Sequence, residues 1–148
     1  MIALPICHSI VNVNSLAMVL GGIIRDLYCV RQPPFEKRLE IAQKHQDKLA
    51  AAGAQFSSFT NSDTSNARVL FSRQQLGIKL AYAHILIVLF RPFLLDTPES
   101  GVSFELRGKY EDKIVECLKA ALGITGYIDK LCEGDPFFEA AWVSHILV

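Results

Sequence analysis

The sequence predicts an all-α fold, an irregular bundle of about five helices, and three features of the chain carry that prediction. First, Leu80, Ala81, Tyr82, Ala83, Ile85, Leu86, Ile87, Val88, Leu89 and Phe90 put apolar groups around nearly the whole circumference of one helix. A helix apolar on all sides must be surrounded by other elements or by lipid. Second, Tyr110, Ile114, Cys117, Ala121, Ile124, Ile128 and Leu131 recur by fours and threes, which makes one continuous stripe on another helix. Third, no stretch alternates convincingly enough to form a strand.

The first helix is expected over residues 15–28, with Asn14 or Ser15 as its N-cap. Gly21-Gly22 inside it would cost about 1 kcal/mol each relative to alanine unless another helix packs closely there. The second helix follows Pro33-Pro34, which suit a first turn, and runs to about Ala52 with Gly53 as C′. Its inner side carries Phe35, Leu39, Ala42 and Leu49, and its outer side Lys37, Arg38, Lys44 and Lys48. Beyond it, the polar run through Ser57-Ser58 and residues 60–66 predicts a mobile loop over about 53–71.

The third helix is expected from near Ser72 to Arg91. Pro92 has no N–H, and its ring disfavours the helical region for Arg91. Arg91 would then cap the last carbonyls and complement the negative end of the helix dipole. A second loop spans residues 97–101. The striped fourth helix sets Glu111, Asp112, Lys113, Glu116 and Lys119 opposite its apolar side, and Gly123 and Gly126 suggest a close helix contact. Gly134 ends it. Asp135-Pro136 opens a fifth helix that reaches Val148 through Trp142, Val143, Ile146 and Leu147. An end within an apolar run suggests a chain cut from a larger helical domain.

At 148 residues the chain forms one domain, spanning 1–148. Hydrophobic residues make up 51% and charged residues 20%, with a mean hydropathy of +0.27, which fits a core-rich helical piece, or a fragment whose missing part would cover some of this surface. The net charge is zero, so the basic face that DNA binding needs is missing. Cys7, Cys29, Cys117 and Cys132 are isolated in apolar stretches and are expected to be buried reduced thiols. His8, His45, His84 and His145 lie on different elements with no metal-ligand spacing, and His84 is expected to be a neutral core histidine bonded to a carbonyl.

Two stretches are apolar enough to suggest a membrane. Residues 1–24 lack a positive start and are broken by Pro5, His8, Ser9, Asn12, Asn14 and Ser15. Residues 80–95 contain His84 and are closed by Arg91-Pro92, so no span is expected there.

Catalytic motifs are missing: there is no Gly-x-Ser-x-Gly, no P-loop, no His-Glu-x-x-His, and Gly21-Gly22 lacks the third glycine of a dinucleotide loop. Nothing places two of Asp26, Asp112, Glu116 and Asp129 in one cleft. Tyr82 and Tyr110 are expected to be core aromatics with bonded hydroxyls. No catalytic, cofactor-binding or metal-ligating residue is assigned, and enzyme activity is not expected.

One further pattern carries a resemblance. Tyr82, the apolar run and Leu89-Phe90-Arg91-Pro92-Phe93-Leu94 resemble the signature helix of the fungal-specific transcription factor domain. That domain is the regulatory, or middle homology, region of fungal binuclear zinc-cluster regulators. Cys117 with Ala120-Ala121 resembles the family's Cys-x-x-Ala-Ala helix, and Phe137-Phe138 with Trp142 its aromatic-rich following helix. Leu16, Leu20-Gly21, Ile24-Arg25 and Leu27-Tyr28 resemble its helix with a small-residue centre and terminal tyrosine. The family often has histidine where this chain has Phe90, and tends to have tryptophan where His45 stands.

The resemblance implies a nuclear, all-helical module that regulates an attached DNA-binding segment through effector sensing or co-regulator contacts. Zinc and DNA reading belong to a separate six-cysteine cluster that this chain does not contain. Protein partners or self-association are expected, a small-molecule effector is compatible, and no membrane role is implied. The competing readings are a stand-alone helical bundle that binds an apolar small molecule, a membrane protein, and a truncated gene product without function.

Overall fold

The computed structural model describes residues 3–60, 69–96 and 103–132. Within them the chain is all-helical and contains no strand: α1 is Ala3–Leu27, α2 Phe35–Thr60, α3 Val69–Leu95 and α4 Phe104–Cys132. The fifth helix expected over 135–148 lies outside the described residues, as does the middle of the expected loop, 61–68.

Three of the helices, α1, α2 and α3, run past an end that local rules set for them. α1 begins at Ala3 rather than near Ser15. Pro5 falls in its first turn, where a missing N–H leaves nothing unpaired. α2 starts as expected after the two prolines, with Arg38 N–H donating to the Pro34 carbonyl at 3.0 Å. It does not stop at Gly53 but continues to Thr60, so the loop expected over 53–71 is helical at both its edges. Gly53 serves close packing instead: a Cβ there would lie 3.0 Å from Cε2 of the Tyr82 ring.

α3 passes through Arg91-Pro92 and ends at Leu95. Proline at 92 removes the N–H that would bond the Val88 carbonyl four residues back. The Tyr28 hydroxyl donates to that carbonyl at 2.7 Å, and the Asp96 N–H returns to the Pro92 carbonyl at 3.2 Å. The helix therefore continues because the acceptor freed by proline is satisfied by Tyr28, the residue that follows α1. Arg91 consequently caps nothing. It is exposed, and no hydrogen bond or ion pair to it is found among the described residues.

α3 packs against α1, α2 and α4, which accounts for its apolar circumference. Ile23 and Leu27 of α1, Leu49 of α2, Leu89 and Phe90 of α3 and Cys117 of α4 are fully buried between them. By length and composition alone, Gln75–Leu95 reaches what a membrane crossing requires, although the sequence placed its end too early for that.

α4 buries Tyr110, Cys117 and Ala120, while Ala121, expected in its stripe, faces solvent. Lys113 and Glu116, expected outside, are half-buried. The Lys113 ammonium donates to Gln43 at 2.9 Å and Gln46 at 2.6 Å, and lies 5.4 Å from the Phe90 ring centroid. Burial lowers its pKa from the ordinary lysine value.

Candidate functional site

Two polar constructions and one cleft stand out, and none of the three is legible from short motifs. The first gathers at the C-terminal end of α3. Arg38 of α2 pairs with the Asp96 carboxylate, and the Tyr110 hydroxyl of α4 donates to the Asp96 carbonyl. The Tyr110 ring lies between Phe35 at 5.4 Å and Phe93 at 6.0 Å. Burial raises the Tyr110 pKa, so the phenol stays a donor. With the Tyr28–Val88 bond, this ties α1, α2 and α4 to one stretch of α3. The arrangement holds helices together.

The second construction is buried between α1 and α2. His45 is 1% exposed, and its Nε2 lies 2.9 Å from Asp26 Oδ2. The hydrogen bond from His45 comes first among the causes that lower the Asp26 pKa, followed by that from Arg25. The ring fills the space that Gly22 leaves: a Cβ on Gly22 would lie 2.9 Å from His45 Cε1. Nδ1 is buried without a hydrogen-bond partner. Such a pair positions two helices.

The third feature is a cleft of about 520 Å³ where α2, α3 and α4 meet. Gly53, Ala83, Ala120 and Gly123 line it and give it depth, because none carries a side chain beyond Cβ. Tyr82 and Tyr127 supply aromatic wall, and Lys79, Lys119 and Glu116 supply charge. Lys119 is paired with Glu116 at 3.0 Å. The Tyr82 hydroxyl, raised in pKa by burial, is neutral at ordinary pH. Cleft residues of these types can hold a ligand.

Among the other residues singled out in the sequence, His84 and Cys29 depart from expectation. His84 is exposed rather than a buried core histidine. Cys29 is exposed too, its thiol donating to the Arg31 carbonyl at 3.1 Å, whereas Cys117 is buried and its thiol pKa is pushed up by burial. Tyr110 is a core aromatic with a bonded hydroxyl, and Tyr82 is half-buried. Asp26 pairs with His45 and Glu116 with Lys119, while Asp112 and Asp129 are exposed, so no two of these carboxylates meet in a cleft. No cluster of His, Cys, Asp and Glu suited to a metal ion occurs among the described residues. The side chains of Cys7, His8, Cys132 and His145 lie outside them.

The Tyr28–Val88 bond had one usable signal, since the carbonyl four residues before an interior proline always lacks its helical donor. Its partner is 60 residues away, which no local pattern encodes. In comparison with known proteins, no family model, no curated protein and no solved structure matches this chain.

Proposed function

We propose that this chain is a regulatory helical module of the fungal zinc-cluster transcription factor type. It is not the DNA reader and not an enzyme; it acts in the nucleus through protein contacts or a bound effector. The observation that carries this reading is how the residues behind the resemblance interlock. The tyrosine that ends the first motif, Tyr28, bonds the carbonyl freed by the proline of the second, at Val88. Phe90, Pro92 and Phe93 are buried, as are Leu16, Leu27, Cys117 and Ala120 from the other quoted motifs. The Cys117 thiol approaches the Ile87 carbonyl at 3.9 Å. A set of short motifs with one structural job is what a shared regulatory fold would preserve.

A protein partner also has a surface to use. Val115, Leu118 and Leu122 lie on one side of α4 and are exposed, with Leu122 at 72%. Apolar side chains grouped on one helix face suit contact with another protein.

The test has two arms. Sequencing the transcript through both ends asks whether it runs into a segment with six closely spaced cysteines. Fusing residues 1–148 to an unrelated DNA-binding domain asks whether a reporter gene changes output several-fold relative to that domain alone. A cysteine cluster and a changed reporter support the proposal; a transcript without the cluster, with a flat reporter, overturns it. The competing reading as a ligand-binding bundle is favoured by the cleft between α2, α3 and α4.

A further inference from the structure

We propose that the cleft at the meeting of α2, α3 and α4 binds a small planar aromatic monocarboxylate. Its ring would lie against Tyr82 and Tyr127 and its carboxylate on Lys79. The site rests on the cleft alone and holds whether or not the chain regulates transcription.

The cleft exists because α2 and α4 both lean on α3 and make few contacts with each other. Small residues face the gap from all three helices: Gly53 on α2, Ala83 on α3, Ala120 and Gly123 on α4. The space of about 520 Å³ falls within the range that small-molecule pockets occupy, roughly 300–1,000 Å³. Most of its lining surface is apolar, so the body of the occupant must be apolar too.

Charge selects the polar end. Lys119 is neutralised by Glu116 at 3.0 Å, so their contribution to the cleft is close to zero. Lys79 is half-buried, and no ion pair or hydrogen bond to it is found among the described residues. One unmatched cation in a mainly apolar cleft calls for a ligand with one negative charge. The two tyrosines favour a flat ring over an alkyl chain, because aromatic pairs gain from stacked or edge-on contact beyond the area they bury. Gly53 makes room for the Tyr82 ring beside α2, since a Cβ there would lie 3.0 Å from its Cε2.

The experiment is a calorimetric titration of the whole 148-residue chain with 2-naphthoate, beside its neutral counterpart 2-naphthylmethanol and the alkyl acid octanoate. Saturable binding of 2-naphthoate is expected, with both comparison ligands at least roughly tenfold weaker. Lys79→Met should weaken 2-naphthoate about tenfold and leave 2-naphthylmethanol unchanged. Gly123→Leu separates loss of the site from loss of the fold. Among the described residues the nearest heavy atom to a new Cβ is Tyr127 Cε2, at an ordinary contact distance of 3.9 Å, so the leucine side chain starts into the cleft without a clash at Cβ. Replacing a helical glycine also favours the helix. That variant should melt no lower than the parent and bind neither naphthyl ligand. Absence of saturable binding in the parent overturns the proposal. So does binding that survives Gly123→Leu, or octanoate binding as tightly as 2-naphthoate.

Discussion

Tyr28 supplies at one position the hydrogen bond that a proline takes away. Its hydroxyl donates to the Val88 carbonyl, the acceptor that Pro92 cannot serve. Tyr28→Phe should therefore cost about 1 kcal/mol, the usual net value of such a bond where water partly competes. In a Pro92→Ala background residue 92 regains an N–H for Val88, so the same change should cost only a few tenths. Urea unfolding of the four members of this cycle measures the coupling, and equal costs in both backgrounds would dissociate the tyrosine from the proline. Asp26 gives a second residue-scale test. Its carboxyl is held below the ordinary carboxylate value, first by the hydrogen bond from His45 and then by Arg25. A depressed folded pKa means the unfolded chain binds that proton more readily. The contribution is thus complete above the unfolded value, near pH 4, and is lost as pH falls through the folded one. Asp26→Asn should flatten the decline of stability below about pH 4, as read from unfolding midpoints between pH 3 and 6. An unchanged slope would mean that the pair adds nothing to acid sensitivity. Arg91→Ala, which the sequence suggested would loosen a helix end, should stay within about 0.5 kcal/mol because the exposed guanidinium makes no hydrogen bond or ion pair among the described residues.

The elements were legible in the sequence where periodicity spoke and illegible where a distant partner overruled a local stop. The apolar run of α3 and most of the stripe of α4 marked their helices, and the two prolines before Phe35 marked the start of α2. Gly53 and Pro92 are stop signals by any local rule. α2 ignores the first because Tyr82 needs the missing side chain, and α3 ignores the second because Tyr28, the residue that follows α1, supplies the donor. His84 shows a different limit. α3 has three neighbours, yet one strip of it remains open to solvent; His84 and Arg91, seven residues apart, lie on it. Composition shows that a helix is central but not which strip stays wet. The cleft was less legible still, since it depends on how three helices diverge. The adjacent glycines of α1 convert this argument into numbers. A Cβ on Gly21 meets nothing within 4 Å, so Gly21→Ala should stabilise by about 0.5–1 kcal/mol. A Cβ on Gly22 would lie 2.9 Å from His45 Cε1, on a ring that is buried and held at Nε2 by Asp26. Gly22→Ala should therefore destabilise by about 1–3 kcal/mol, an overpacking cost larger than the gain in propensity. Thermal melts of the two variants should move in opposite directions; movement the same way would show that the ring can yield.

At the scale of the whole molecule, the C-terminal end of α3 is where three helices are tied to a fourth. α1 arrives through Tyr28, α4 through the Tyr110 hydroxyl on the Asp96 carbonyl, and α2 through Arg38 on the Asp96 carboxylate. Of these ties the ion pair is the most consequential to cut from one side. The Arg38 side chain is 13% exposed and its Nε already lacks a partner, so removing the carboxylate leaves a nearly buried guanidinium held by the long Gln32 bond at 3.3 Å. A fully buried pair broken this way costs about 3–5 kcal/mol. The Asp96 side chain is 36% exposed and water can replace part of it, so Asp96→Ala should cost about 1–3 kcal/mol. The Tyr110 bond survives that substitution because it uses the backbone carbonyl, so the loss reports the ion pair alone. Removing both charges makes the sharper prediction. Arg38→Met added to Asp96→Ala should recover at least half of the loss, since an apolar chain of similar length can stay against Phe35 without a charge to satisfy. Urea unfolding of the two single variants and the double variant decides it. Recovery in the double variant would mean the pair sets which helix faces meet more than it adds stability. A double variant worse than either single would make the pair itself the clasp that closes α2 onto the bundle.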